Sequence, residues 1–303
     1  MQPSKTIVII AGPTAVGKTA AAIAVAKAFN TEIISADSRQ CYHEMNIGVA
    51  RPSVEELNEV PHHFIASHSI HQKVNAVTFE QYALQKADEL FQKHDVVVMV
   101  GGTGLYIKAF CEGLDEIPNV PEVLHNEIIA AYETNGLSWL QNEVRQLDPR
   151  FYEIGEVQNP QRLMRALEVV KATGRSIVDF RRGEKAERPF NVIKIALELP
   201  KQQMHENINH RVDKMIEGGL VTEVQSLMSY QHLNALQTVG YKELFAYFKG
   251  DISLENATDS IKQNTRQYAK RQLTWFRKDK EYYWFGAGDI SGILNFINQN
   301  LSL

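Results

Sequence analysis

The spacing of hydrophobic positions changes character along this chain. From residue 6 to about 110, short and solidly apolar runs alternate with longer stretches in which apolar residues recur at helical intervals. Residues 6–11 read Thr-Ile-Val-Ile-Ile-Ala, residues 32–36 and 96–100 are similarly β-rich, and helices are predicted over 18–29 and 79–93. Continuous apolar strands separated by helices predict a parallel sheet flanked by helices, an α/β fold. From about residue 113 to 189 the pattern turns helical and polar, with breaks at Pro118, Pro121, Pro149 and Pro160. This stretch predicts an inserted α-helical subdomain. Residues 190–199 predict a returning strand, and the remainder from Met204 predicts a helical C-terminal part. The expected organisation is a core of 1–112 and 190–303 interrupted by a helical insertion, 113–189.

Composition narrows the class. A chain of 303 residues, 44% of them hydrophobic, can bury a full core. Two isolated cysteines, Cys41 and Cys111, are too few for a disulfide framework or a zinc site and point to a reducing compartment. The histidines, including His62, His63, His68 and His71, lack a cysteine or acidic cluster to complete a metal geometry. With no apolar run of about 18 residues and no signal-peptide pattern, neither secretion nor membrane insertion is expected, and the cytoplasm is the expected location. A formal net charge of −4 argues against a generally basic nucleic-acid protein. The average hides one cluster, because between Lys262 and Lys280 there are seven Lys or Arg and a single acid, Asp279.

The candidate chemistry lies where the predicted strands end. Gly12-Pro13-Thr14-Ala15-Val16-Gly17-Lys18-Thr19 follows a strand and opens an alanine-rich helix. That context makes it a phosphate-binding loop (P-loop), with backbone N–H groups and Lys18 for a polyphosphate and the Thr19 hydroxyl for Mg²⁺. ATP-binding proteins share this loop, yet their metal-binding Asp closes a later apolar strand, and here residues 96–100 run into Gly101-Gly102. The acid instead follows the second strand, as Asp37 of Asp37-Ser38-Arg39-Gln40. It can serve as metal ligand or general base, although an Asp-Ser pair is also a common turn cap. Gly101-Gly102-Thr103-Gly104 offers close backbone approach and a hydroxyl, or else a plain strand-to-helix turn. Arg162 and Arg165 share a face of a predicted helix in Gln161-Arg162-Leu163-Met164-Arg165, and Arg266, Lys270 and Arg277 share a stripe further on. Tyr268, Gln272, Trp275 and Phe276 fall largely off that stripe and are expected to pack.

Taken in order, these blocks resemble the tRNA dimethylallyltransferases. The resemblance rests on GPTAVGKT at 12–19, DSRQCY at 37–42, GGTGLY at 101–106, NPQRLMRALEV at 159–169, RVDKMIEGGL at 211–220, VGYKE at 239–243 and TRQYAKRQLTWF at 265–276. Val16 stands where serine is frequent in the family and Cys41 where an aliphatic residue is frequent. The resemblance implies transfer of a dimethylallyl group from dimethylallyl diphosphate to the exocyclic amine of the adenosine 3′ of the anticodon. It implies Asp37 as base, with Lys18, Arg211 and Mg²⁺ on Thr19 countering charge on the departing diphosphate held by residues 12–19. Asp37, Ser38, Arg39, Gln40 and Thr103, the 161–165 block, and Arg266, Lys270 and Arg277 would contact tRNA. A monomer without a zinc-finger extension of the eukaryotic kind is expected. A prenyltransferase acting on free adenine nucleotides and a P-loop small-molecule kinase are the other classes that share the loop.

Overall fold

The computed structural model describes residues 5–181 and 183–301, so residues 1–4, 182 and 302–303 of the expected segments lie outside the described residues. The chain forms two compact units, Gly113–Ala186 and the residues on either side of it. The return to the larger unit falls at Glu187, where the sequence pattern suggested 190.

The larger unit begins with β1 (Thr6–Ala11), α1 (Lys18–Ala28), β2 (Ile33–Ser35), α2 (Val54–Glu59), β3 (His62–His63), α3 (Ala76–Phe91), β4 (Val96–Gly101) and α4 (Gly104–Glu112). The helical unit contributes α5 (Glu122–Leu147), α6 (Pro149–Ile154) and α7 (Pro160–Thr173). The larger unit resumes with β5 (Asn191–Glu198), α8 (Lys201–Glu217), α9 (Leu220–Ser226), α10 (Tyr241–Phe248), α11 (Leu254–Lys278), β6 (Tyr283–Gly286) and α12 (Ile290–Leu301).

The six strands form one sheet in the order β3-β2-β4-β1-β5-β6, every neighbouring pair parallel. Central β1 shows why its run from Ile7 onward is apolar. Ile7, Ile9 and Ala11 pack on one face with Phe79, Phe110 and Tyr241, while Val8 and Ile10 pack on the other with Ala22, Val25, Ile293 and Ile297. From Ile7 to Ala11 alternate side chains enter opposite cores, so both faces are apolar there, and polar Thr6 is buried only at the start of the strand. The parallel order also puts the carboxyl ends of β1, β2 and β4 side by side, the end at which such sheets bind ligands. Edge strand β6 escaped the sequence pattern because it is four residues long and mostly half-exposed. His62 and His63 form the opposite edge, where His63 Nε2 lies 2.6 Å from Glu32 Oε2.

In the helical unit, Ile128, Leu140, Val144, Phe151, Leu163, Met164 and Leu167 make a separate core. The continuous span of α5 includes Gly136 at φ 74°, ψ −171°, which breaks it into two helices. Buried Asp148 accepts from the Phe151 N–H at 3.0 Å and the Ile177 N–H at 3.3 Å, tying α6 to the chain after α7. Leu163 and Met164, expected among tRNA contacts, are buried in this core. Reading residues 161–165 as one block ignored the helical period, which turns two of the five inward. Gln161 and Arg162 stay exposed, Arg162 pairs with Glu156 at 2.8 Å, and Arg165 is held by Glu168 at 3.2 Å and the Pro118 carbonyl at 3.4 Å.

Truncating β1 at its centre should be costly. Ile9→Ala is expected to lower unfolding free energy by about 2–5 kcal/mol, read as a reduced urea midpoint at unchanged slope.

Candidate functional site

The loop that joins β1 to α1 is built to meet an anion. Gly17 precedes the helix at φ 98°, ψ 18° with no side-chain cap, and the first turn of α1 has no acidic residue. The N–H groups that a helix start leaves unpaired are therefore open to a ligand, on the positive end of the helix dipole. Lys18 Nζ donates to the Pro13 carbonyl at 2.7 Å, folding the side chain back over the loop. Arg211, on α8, donates to Thr14 Oγ1 at 3.3 Å, and Asn207 donates to the Ala15 carbonyl at 3.3 Å. Ala15 adopts φ 63°, a strained conformation for alanine that these contacts sustain.

Two cations thus share one desolvated site. Burial, followed by the charge of Arg211, lowers the Lys18 pKa to about 7, and Asp37 opposes the shift only in part. Burial also lowers the Arg211 pKa, against an opposing pull from Glu56. An anion between them would relieve both the lost hydration and the repulsion.

A cavity of about 330 Å³ lies against these groups, lined among others by Lys18, Thr19, Asp37, Arg51, His62 and Arg211. A second of about 230 Å³ shares Thr14, Asp37, Arg211 and Tyr268 and adds Val212, Met215, Val239 and Ile261. The first lobe is lined by the loop, while the second sets apolar Val212, Met215, Val239 and Ile261 beside polar Ser38, Arg39, Thr238 and Thr265, and Asp37 and Arg211 are common to both.

Asp37 does cap its own turn. Its Oδ1 accepts from the N–H of Arg39 at 2.8 Å and of Gln40 at 3.2 Å, and Oδ2 has no hydrogen-bond partner among the described residues. One oxygen orients the carboxylate while the other remains available. Tyr268 stands beside it, its hydroxyl pushed up to about 12 by burial and then by the Asp37 charge, and so stays protonated. Burial and Asp37 likewise push the Cys41 thiol up to about 12, which makes it a poor nucleophile.

Several expected ligand contacts are engaged within the protein. Gln40 Nε2 donates to the carbonyls of Val49 and Ala50 at 3.2 and 2.9 Å, supporting the cavity wall. Thr103 Oγ1 accepts from the Ser38 N–H at 3.1 Å, and the Arg39 guanidinium donates to the Asn234 and Ala235 carbonyls at 2.9 and 3.0 Å. Arg266 donates to Asn209 at 2.6 Å, while Arg277 reaches Glu198 at 3.5 Å and lies over Trp284. Of the expected stripe, only Lys270 is exposed and without a side-chain partner among the described residues.

Other site residues were invisible to sequence reading. Glu223 accepts from the N–H groups of Asn46, Ile47 and Gly48 at 3.2, 2.7 and 3.1 Å and from the Tyr241 hydroxyl at 2.6 Å, holding the loop that walls the cleft. Arg51 closes the same loop onto the carbonyls of Tyr42, His43 and Met45. Gln272, expected only to pack, bonds the P-loop itself. Glu223 and Gln272 act on residues far away in the sequence, and Arg51 on main-chain carbonyls six to nine residues before it, so no local pattern announces these contacts.

Magnesium suits the donors present. Thr19, Ser35 and Asp37 offer oxygens to the first cavity, and no group of three or more His, Cys, Asp or Glu able to hold a metal occurs among the described residues. Such a site fits a hard cation that keeps waters and shares the oxygens of a bound phosphate, rather than one needing an all-protein cage.

The fold and site define an α/β protein with a glycine-rich loop at the start of a helix and a desolvated pair of basic side chains beside it. The family model described as IPP transferase matches residues 40–279, and the chain belongs to that family. It is 47% identical over 300 residues to a tRNA dimethylallyltransferase of Christiangramia forsetii, covering 99% of each chain. It is 44% identical to one of Cytophaga hutchinsonii, covering 98% of each. The structure matches the tRNA isopentenylpyrophosphate transferase of Bacillus halodurans with a TM-score of 0.73 at 35% identity, covering 98% of this chain and 97% of that one. It also matches a eukaryotic dimethylallyltransferase acting on tRNA with a TM-score of 0.76 at 25% identity, covering 95% and 75%.

A Lys18 pKa near 7 has a thermodynamic signature. Between about pH 7 and 10.5 the folded, ligand-free protein binds fewer protons at Lys18 than the unfolded chain, so this group makes stability rise with pH across that window. Inorganic diphosphate should restore the charge. Calorimetry at pH 8.5 in buffers of differing ionisation enthalpy is expected to show more proton uptake on diphosphate binding by the unsubstituted protein than by Lys18→Met, with the difference vanishing below pH 6.

Proposed function

We infer that this protein transfers the dimethylallyl group of dimethylallyl diphosphate to the exocyclic amine of an adenosine 3′ of the anticodon in tRNA, releasing diphosphate. The observation that carries this reading is the pair of desolvated cations, Lys18 and Arg211, sharing a cleft with Asp37. The family membership and the tRNA-modifying relatives support the same reaction.

In this reading the nitrogen attacks the allylic carbon, a C–N bond forms, and the C–O bond to diphosphate breaks. Negative charge grows on the leaving group as it departs. Lys18, Arg211 and the uncapped start of α1 lie where that charge develops, and fixed charges in a desolvated site contribute most there. The attacking amine sheds a proton to Oδ2 of Asp37, whose orientation is set through Oδ1. Magnesium held by Thr19 would neutralise part of the diphosphate charge. The apolar side chains Val212, Met215, Val239 and Ile261 in the lobe beyond Asp37 would help to exclude water, which otherwise competes as nucleophile.

The acceptor would be gripped by local charge on a protein of net negative charge. Lys270, with Arg271, Arg277 and Lys278 exposed on the same helix, would meet backbone phosphates, and Gln161 and Arg162 would do so from the helical unit. The target base must leave its stack to reach the cleft. No helix among the described residues is long and apolar enough to cross a membrane, which agrees with action in the cytoplasm.

Incubation with Mg²⁺, labelled dimethylallyl diphosphate and unmodified tRNA or AMP, followed by mass spectrometry of nucleosides, tests the reading. Prenyl-adenosine from tRNA alone is expected, and product from AMP alone would refute it. Asp37→Asn keeps the turn cap but removes the base. It is expected to lower kcat by about 10²–10⁴ with tRNA affinity within a few-fold. Lys270→Ala should weaken tRNA binding and lower the slope of log affinity against log salt by roughly 0.7–0.9.

A further inference from the structure

Buried Gln272 lies on α11, the helix that also carries exposed Lys270, yet its side chain ends at the P-loop. Its Oε1 accepts from the Thr14 N–H at 2.8 Å, and its Nε2 donates to the Gly102 carbonyl at 2.9 Å. One amide thereby spans the loop after β1 and the turn after β4. The fit leaves no spare room, because a Cβ on Gly102 would lie 2.2 Å from Nε2 of Gln272. Three residues on, Trp275 occupies the space that a Cβ on Gly104 would need, at 2.1 Å. Of the close approaches that Gly101-Gly102-Thr103-Gly104 allows, those at Gly102 and Gly104 are thus taken by α11, while Gly101 meets the backbone of Ala36.

Two consequences follow for the loop. The Thr14 N–H is committed to Gln272, so the loop tip offers a ligand one backbone donor fewer, and Arg211 at Thr14 Oγ1 supplies a charged donor beside it. A second connection runs in parallel, since Arg266 of α11 bonds Asn209 of α8, the helix whose Asn207 and Arg211 hold Ala15 and Thr14. Any shift of α11 along its axis must therefore move the loop or break a buried hydrogen bond, and leaving a buried amide unpaired is costly.

We propose that Gln272 is a positioning residue that couples occupancy of the RNA-facing side of α11 to diphosphate binding at the P-loop. The proposal rests on tRNA being the acceptor and α11 being part of its grip. Binding at the two sites is then linked by a free energy that must be reciprocal. RNA that fixes α11 holds the loop in its diphosphate-binding form, and diphosphate in the loop strengthens RNA binding by the same factor.

The test measures the affinity of inorganic diphosphate with Mg²⁺, without and with a saturating anticodon stem-loop RNA. The unsubstituted protein is expected to show coupling of at least about fivefold. Gln272→Met, close in shape but unable to make either hydrogen bond, should bring the ratio close to one. Gly102→Ala displaces the Gln272 amide from the opposite side and should do the same if Gln272→Met folds poorly, which thermal melting would reveal. A purely structural role would lower the melting temperature and leave the ratio intact. A ratio of one in the unsubstituted protein, or full coupling in both variants, overturns the proposal. RNA that fails to bind the unsubstituted protein overturns instead the functional reading beneath it.

Discussion

Holding two cations out of water beside one loop is the demand around which the rest of the structure is arranged. Lys18 and Arg211 lose hydration and repel each other, and folding alone returns little for either loss. The geometry persists because contacts from outside the loop fix it. The Pro13 carbonyl meets Lys18, Asn207 holds the Ala15 carbonyl, and Gln272 takes the Thr14 N–H. A site strained in this way before its ligand arrives is arranged to favour a concentrated negative charge, and diphosphate departing from a carbon is such a charge.

The position of Asp37 follows from the same economy of space. With β4 ending at Gly101, which packs against the Ala36 backbone, and running on into Gly102, which admits Gln272 of α11, no carboxylate can occupy the strand end where nucleotide hydrolases keep one. The acid sits one strand further out, after β2, where its Oδ1 caps the turn and its Oδ2 stays open. It also faces Arg211 and Tyr268 across the junction of the two cavity lobes. The relocation therefore separates this site from one built to activate water against a phosphate.

What could be read from the chain was what is local in it. The apolar runs of β1 and β4, the glycine-lysine loop and the carboxylate after β2 each signal themselves within a few residues, because strand burial and phosphate binding impose short-range patterns. Gln40, Thr103 and Arg266 were legible as polar residues in the right blocks, but their engagement with internal carbonyls and amides was not. Leu163 and Met164 show the opposite failure, where a contiguous motif concealed an inward-facing helix stripe.

By itself the sequence determined the parallel sheet, the glycine-rich loop after β1, the carboxylate after β2 and the family. Tertiary structure decided which side chains remain free for a ligand. That division has a physical cause: a strand or a phosphate loop is specified by neighbours in the chain, whereas the engagement of Gln272 with Thr14, or of Glu223 with the loop at Asn46–Gly48, depends on elements brought together only when the sheet has closed its cores.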